Sequence, residues 1–215
     1  MKKSIYSLVL SDAVIEGIDR MAYSMGISRS ALINNILAEK VCYVTPEQRM
    51  ADIFNTLETM IRGTGEYRIA AQPSVSMFSL TAPIAYKYNP TLKYTLDLYK
   101  EVQSGGEAGI LRISLRSKSA ALIDCLNAFY LLWSRLEARN TGRCGTISED
   151  GRYSKPLYVQ RALSAEEFGS AIADYIRAID GAMRTFFGNL DTPSRAAREV
   201  EAHYLSYITN KTNTL

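Results

Sequence analysis

The chain has 215 residues, 47% hydrophobic and 22% charged, with 25 basic against 22 acidic side chains. This is an ordinary globular composition, long enough for one large domain or a small domain joined to a medium one, and a dispersed net charge of +3 does not by itself announce a nucleic-acid partner. Three scattered cysteines (Cys42, Cys125, Cys144) without a CxxC pair exclude a disulfide framework or zinc site, and no run approaches the roughly 20 apolar residues of a membrane span, so a soluble cytoplasmic protein with free thiols is expected.

Residues 4–10, "SIYSLVL", alternate as a strand. Tyr6, Leu8 and Leu10 share one face; Ile5, Ser7 and Val9 share the other, and that second face is too apolar for a simple wet one. Ser11 is placed to cap a first helix with Val14, Ile18, Met21, Ala22 and Met25 on its apolar face. Gly26 suits the left-handed position that ends it. Ser28 caps a second helix whose apolar face holds Leu32, Ile33, Ile36 and Leu37. Thr45-Pro46-Glu47-Gln48 opens a third, expected to run to about Arg62 before the turn at 63–65.

After Gly65 the pattern changes. Residues 66–71, 75–81 and 84–88 are expected strands. Residues 92–100 alternate Leu92, Tyr94, Leu96, Leu98 against Lys93, Thr95, Asp97, Tyr99. A glycine-rich loop at 103–109 leads into a partner strand where Leu111, Ile113 and Leu115 oppose Arg112, Ser114 and Arg116, which predicts an antiparallel hairpin with one buried and one wet face. A long helix is expected over about 117–138, then a loop with a small hairpin at Asp150-Gly151. Ser164 and Glu167 form a capping box for a helix striped by Phe168, Ile172, Tyr175, Ile176, Ile179, Met183 and Phe187. Thr192-Pro193 opens the last helix, to about Thr209, and 211–215 read as a frayed tail. The reading is α+β: a module at 1–44, a connecting helix at 45–65, and an antiparallel sheet packed with long helices at 66–210.

One short strand and two helices cannot bury a core alone, and a strand needs a partner. A twofold dimer solves both problems: two strands pair as an antiparallel ribbon and four helices pack beneath it. Residues 3–41 have that order. With "MGISRSALI" at 25–33, they resemble the ribbon-helix-helix repressors of the Arc and MetJ type, through a signature Gly-x-Ser-Arg-Ser-x-Leu-Ile at the second helix.

The resemblance implies a homodimer bound to double-stranded DNA. Tyr6, Leu8, Leu10, Ile18, Ile33 and Ile36 would form the dimer core. Ile5, Ser7 and Val9 would face base edges in the major groove. Ser28, Arg29 and Ser30 at the second helix's N-terminus, with Lys2 and Lys3, would meet phosphates. The outward triplet departs from the polar residues usual in the family. Ile5 and Val9 can only touch thymine methyls, leaving Ser7 as the polar reader.

No other motif competes. His203 is the single histidine, too few for the nickel-sensing relatives of the family, so no metal or cofactor is expected. Ser114 and Cys125 lack a histidine base at interpretable spacing, and the glycine loops lack phosphate-loop residues, so no enzyme is expected. The expected function is a sequence-specific transcriptional regulator, a repressor by family habit. Its C-terminal region would serve a small-molecule or protein effector, or further oligomerisation. Alternatives are an accessory of plasmid partition or conjugative transfer, and a scaffold whose module only dimerises.

Overall fold

The structure is a computed structural model that describes residues 5–63, 65–72, 74–159 and 163–209. The chain forms two compact units, Met1–Arg49 and Met50–Leu215.

In the first unit, α1 spans Asp12–Met25 and α2 spans Arg29–Lys40. Gly26 ends α1 at φ 64°, the left-handed conformation that a side chain would strain, and its amide reaches back to the carbonyls of Ala22 and Tyr23. Ser28 caps α2 as expected, its hydroxyl accepting from the Ala31 amide at 3.2 Å. Ser11 takes the extended capping conformation but makes no side-chain cap bond. The expected strand at 4–10 does not appear: residues 5–10 join no β-ladder. The reason is physical, since a strand exists only by pairing and the single chain offers this segment no partner.

α3 (Pro46–Arg62) starts as the sequence predicts, with Thr45 Oγ1 accepting from the Gln48 amide at 3.1 Å. From Met50 onward it is a core helix rather than a connector, because Met50, Ile53, Phe54, Leu57 and Ile61 are all buried. The second unit continues with β1 (Arg68–Ile69), β2 (Met77–Pro83), β3 (Thr91–Leu98), β4 (Glu107–Leu115), α4 (Ala120–Thr141), β5 (Thr146–Ile147), β6 (Tyr153–Tyr158), α5 (Ala165–Phe187) and α6 (Pro193–Thr209). The six strands make one antiparallel sheet in the order β1-β2-β3-β4-β6-β5. The molecule is therefore α+β, with six helices and a six-stranded antiparallel sheet among the described residues.

The β3–β4 hairpin has the register that its alternation implies: Tyr94 faces Ile113 and Leu96 faces Leu111, all buried, while Lys93, Thr95 and Arg112 hold the other face. The predicted strand at 84–88 is a turn instead. Tyr88 and Asn89 adopt φ 65° and 44°, which no strand tolerates, and the Asn89 amide closes the turn on the Tyr86 carbonyl at 2.9 Å. The small hairpin expected at Asp150-Gly151 is the β5–β6 turn, but the rest of the expected loop before Pro156 conceals β6, which lies between β4 and β5. Pro156 is accommodated because β5 pairs only with Tyr153 and Ser154, leaving no ladder bond for its missing N–H to break on that side. α3 meets the sheet through stacked Phe54 and Phe78, α4 through Tyr130 and Tyr153, and α6 packs on α4 through Trp133 and Tyr204.

Candidate functional site

The N-terminal unit is built but not closed. Ala22, Leu32 and Ala38 are its buried hydrophobic side chains among the described residues. Of the six residues expected in a dimer core, Ile18 and Ile33 are half-buried in the single chain. Tyr6, Leu8, Leu10 and Ile36 remain exposed, along with Val14, Met21, Met25 and Leu37. An apolar groove of about 670 Å³ runs between Met21, Met25, Leu32, Ile36, Tyr43 and Val44. Along residues 5–10 the exposure alternates. Ile5 and Val9 are fully open at 101% and 103%, whereas Leu8 and Leu10 fall to 57% and 37%. Tyr6, at 87%, is the exception. Ser7 is exposed.

Ser28, Arg29 and Ser30 come together at the start of α2. The Ser28 hydroxyl accepts from the Ala31 amide and so caps the helix, a bond that does not use its own O–H donor. The amides of Arg29 and Ser30, at the first two helical positions, have no acceptor within α2 and add to the positive end of the helix dipole. The Arg29 guanidinium is paired with Asp19 of α1. Lys2 and Lys3 lie outside the described residues.

The second unit holds two polar centres that the sequence reading did not single out. In one, Glu137 of α4 is buried with Lys155 of β6, its carboxylate 3.0 Å from Nζ. Tyr153 donates to the same carboxylate at 2.5 Å, Tyr175 at 2.8 Å and the Gly145 amide at 3.2 Å. The Trp133 indole N–H in turn donates to the Tyr175 hydroxyl at 3.1 Å. In the other, Asp180 of α5 is buried and accepts from Tyr94 at 2.6 Å and Tyr67 at 3.0 Å, with Arg184 Nε at 2.9 Å. Each centre is a carboxylate, two phenols and one cation. Burial, reinforced by the adjacent carboxylate, pushes the Tyr67, Tyr94, Tyr153 and Tyr175 hydroxyls well above their ordinary range, so they stay protonated donors.

These centres join elements rather than offer groups to a ligand. Glu137, Lys155, Tyr153 and Tyr175 tie α4, β6 and α5; Asp180 ties α5 to β3 and to the segment before β1. A periodicity argument could have found them. Asp180 follows Ile179 within the buried stripe of α5, Glu137 follows Leu136 on α4, and Lys155 has the buried parity of Tyr153 and Leu157. Charges at such positions require partners. His203 sits beside Thr185, ring nitrogen to hydroxyl 3.0 Å, in an exposed interhelical contact. Comparison with known protein families, with curated proteins and with solved structures returns no match.

Proposed function

We propose that the protein is a homodimeric, sequence-specific DNA-binding regulator of transcription, acting as a repressor. Residues 5–10 of two chains pair as an antiparallel ribbon and enter the major groove. The reading rests on the unfinished state of the N-terminal unit. Two helices joined through left-handed Gly26 leave most of their apolar side chains open, next to an alternating segment that has no strand partner. A second copy supplies both missing parts at once, a ladder partner and the other half of the core. The falling exposure of Leu8 and Leu10, against fully open Ile5 and Val9, is the alternation that a ribbon with one packed face needs.

In this reading Ser7 reads a base edge while Ile5 and Val9 meet thymine methyls. The amides of Arg29 and Ser30, the Arg29 side chain and Lys2 and Lys3 would meet phosphates, which fix position without reading sequence. The second unit, with a core of its own, serves an effector or further oligomerisation.

One observation favours a second reading, a scaffold in which the module only dimerises. The outward ribbon face is apolar at two of three positions, and the one arginine at the start of α2 is already paired. Selection from a random duplex pool by the full chain, followed by titration of the selected site and a scrambled one over a salt series, separates the two. Recovery of a palindrome and a falling affinity with salt are the expected results. Arg29→Ala should weaken both duplexes equally, and Ser7→Ala should narrow the gap between them. Affinity that ignores salt, or no affinity, would leave the scaffold.

A further inference from the structure

Arg29 stands at the first position of α2, beside the amides that helix leaves without internal acceptors, and one edge of its guanidinium is already engaged. The Asp19 carboxylate grips it from α1: Nη2 donates to Oδ2 and Nε lies against Oδ1 as an ion-pair contact, so this edge of the guanidinium is occupied while Nη1 takes no part in the pair. A guanidinium takes a carboxylate and a phosphate through the same two-pronged geometry. The pair lies at the surface, with 68% of the Arg29 side chain and 33% of the Asp19 side chain exposed. An anion from solution can therefore exchange with Asp19 without opening any core.

We propose that Asp19 is an internal competitor for the phosphate site, an acidic side chain that occupies one edge of Arg29 in the free protein and competes with a DNA phosphate for its charge and its Nε–Nη2 donors. The inference rests on the DNA-binding reading above and adds a control to it. Phosphate contacts carry no sequence information, so Asp19 sets the affinity for any DNA and not the choice between sites.

The test is fluorescence anisotropy of the full chain on a selected site and on a scrambled duplex, at one low salt concentration. Asp19→Asn should bind both about two- to fivefold more tightly, the worth of one exposed ion pair. Glu16→Gln removes a charge from an exposed position one turn earlier on α1 and reports the general gain from lost repulsion. The gain of Asp19→Asn should exceed it, and the excess should vanish in an Arg29→Ala background. Asp19→Ser must reproduce the gain, with melting curves showing that each variant is folded. Weaker binding by folded Asp19→Asn would make Asp19 a positioning residue and overturn competition. A gain equal to that of Glu16→Gln in both backgrounds would reduce the effect to distant charge and overturn it too. Wild-type protein with no salt-dependent affinity for any duplex would bring down the DNA-binding reading and this inference together. Wild-type binding with no Asp19→Asn gain would bring down this inference alone.

Discussion

Tyr153 and Tyr130 stack on each other with ring centroids 5.0 Å apart, and both are fully buried, yet their hydroxyls have opposite standing. The Tyr153 hydroxyl donates to Glu137, whereas that of Tyr130 has no partner among the described residues. The same chemical change should therefore have two outcomes. Tyr153→Phe removes a donor from a buried carboxylate and should cost about 1–3 kcal/mol of unfolding free energy. Tyr130→Phe removes a buried hydroxyl that bonds to nothing among the described residues, and should be neutral or stabilising by up to about 1 kcal/mol. Urea unfolding of the two variants against wild type checks the contrast; equal losses would mean that packing, not the carboxylate, governs both sites. Lys155→Met should be the most damaging of the set, about 3–5 kcal/mol, because it strands the Glu137 charge in the core.

The phenols of these centres also set the alkaline limit. Burial first, and the neighbouring carboxylates second, raise the Tyr67, Tyr94, Tyr153 and Tyr175 hydroxyls, and Tyr204 is pushed up to about 12. A raised folded-state pKa means that the native chain holds its protons where the unfolded chain has begun to release them. The stabilisation is present in full below the unfolded value of about 10 and is lost as pH climbs above it. We expect stability to fall steadily above that point. Phenolate absorbance from the buried set should appear together with loss of far-ultraviolet circular dichroism. A smooth phenolate titration of all the tyrosines while the helices remain intact would contradict this.

At the level of elements, two glycines in α5 separate close packing from helix propensity. A Cβ on Gly169 would lie 2.8 Å from the Ile53 carbonyl oxygen and 2.9 Å from Thr56 Cβ, so α3 crosses α5 where only a glycine fits. Gly181, in the same helix, would meet nothing closer than His203 at 3.9 Å. Gly169→Ala should destabilise by about 1–3 kcal/mol through overpacking, and Gly181→Ala should stabilise by about 0.5–1 kcal/mol through propensity alone. Thermal melts of both variants decide it; a stabilised Gly169→Ala would show that α3 and α5 can move apart freely.

The same distinction between local signal and tertiary demand explains which elements the sequence revealed. Helices with paired starts and stripes were legible: the Ser164–Glu167 capping box, the Thr45 cap and the seven-residue stripe of α5 all stand where expected. The β3–β4 hairpin was legible because its alternation is strict. β6 is legible only at the turn that opens it, where Asp150-Gly151 marks the β5–β6 hairpin; beyond that a proline and a lysine at its centre read as loop until Lys155 is known to have Glu137 to meet. The turn at Tyr86–Asn89 has the residue types of a strand because aromatic residues favour strands, and nothing in residue type alone announces two successive left-handed side chains. The pairing of Arg29 with Asp19 was invisible for another reason. It links residues ten apart across a helix turn whose geometry only the fold fixes.

Across the whole molecule the two units differ in how completely each closes on itself. The second buries large side chains from every one of its helices and from its central strands, including Trp133, Tyr94, Phe54, Phe168 and Tyr204 at essentially zero exposure. Such a core holds without help. The first buries an alanine on α1 and a leucine and an alanine on α2. At about 25 cal/mol per Å², so little buried apolar area cannot offset the conformational entropy of ordering about forty residues. On the dimer reading proposed above, its folding is tied to association, while that of the second unit need not be. We expect the full chain to be a dimer at micromolar concentration, with two thermal transitions in calorimetry. The lower should rise with protein concentration, as required when folding and dimerisation are one event, and the upper should not. Replacing Leu8 and Leu10 together by glutamate places charge on the packed face of the ribbon. The doubly substituted chain should sediment as a monomer, lose the lower transition and keep the upper one unchanged. A wild-type monomer with two concentration-independent transitions would mean that the N-terminal unit closes by itself, and the ribbon would then have no physical reason to form. A variant that still dimerises would move the interface to another surface of the chain.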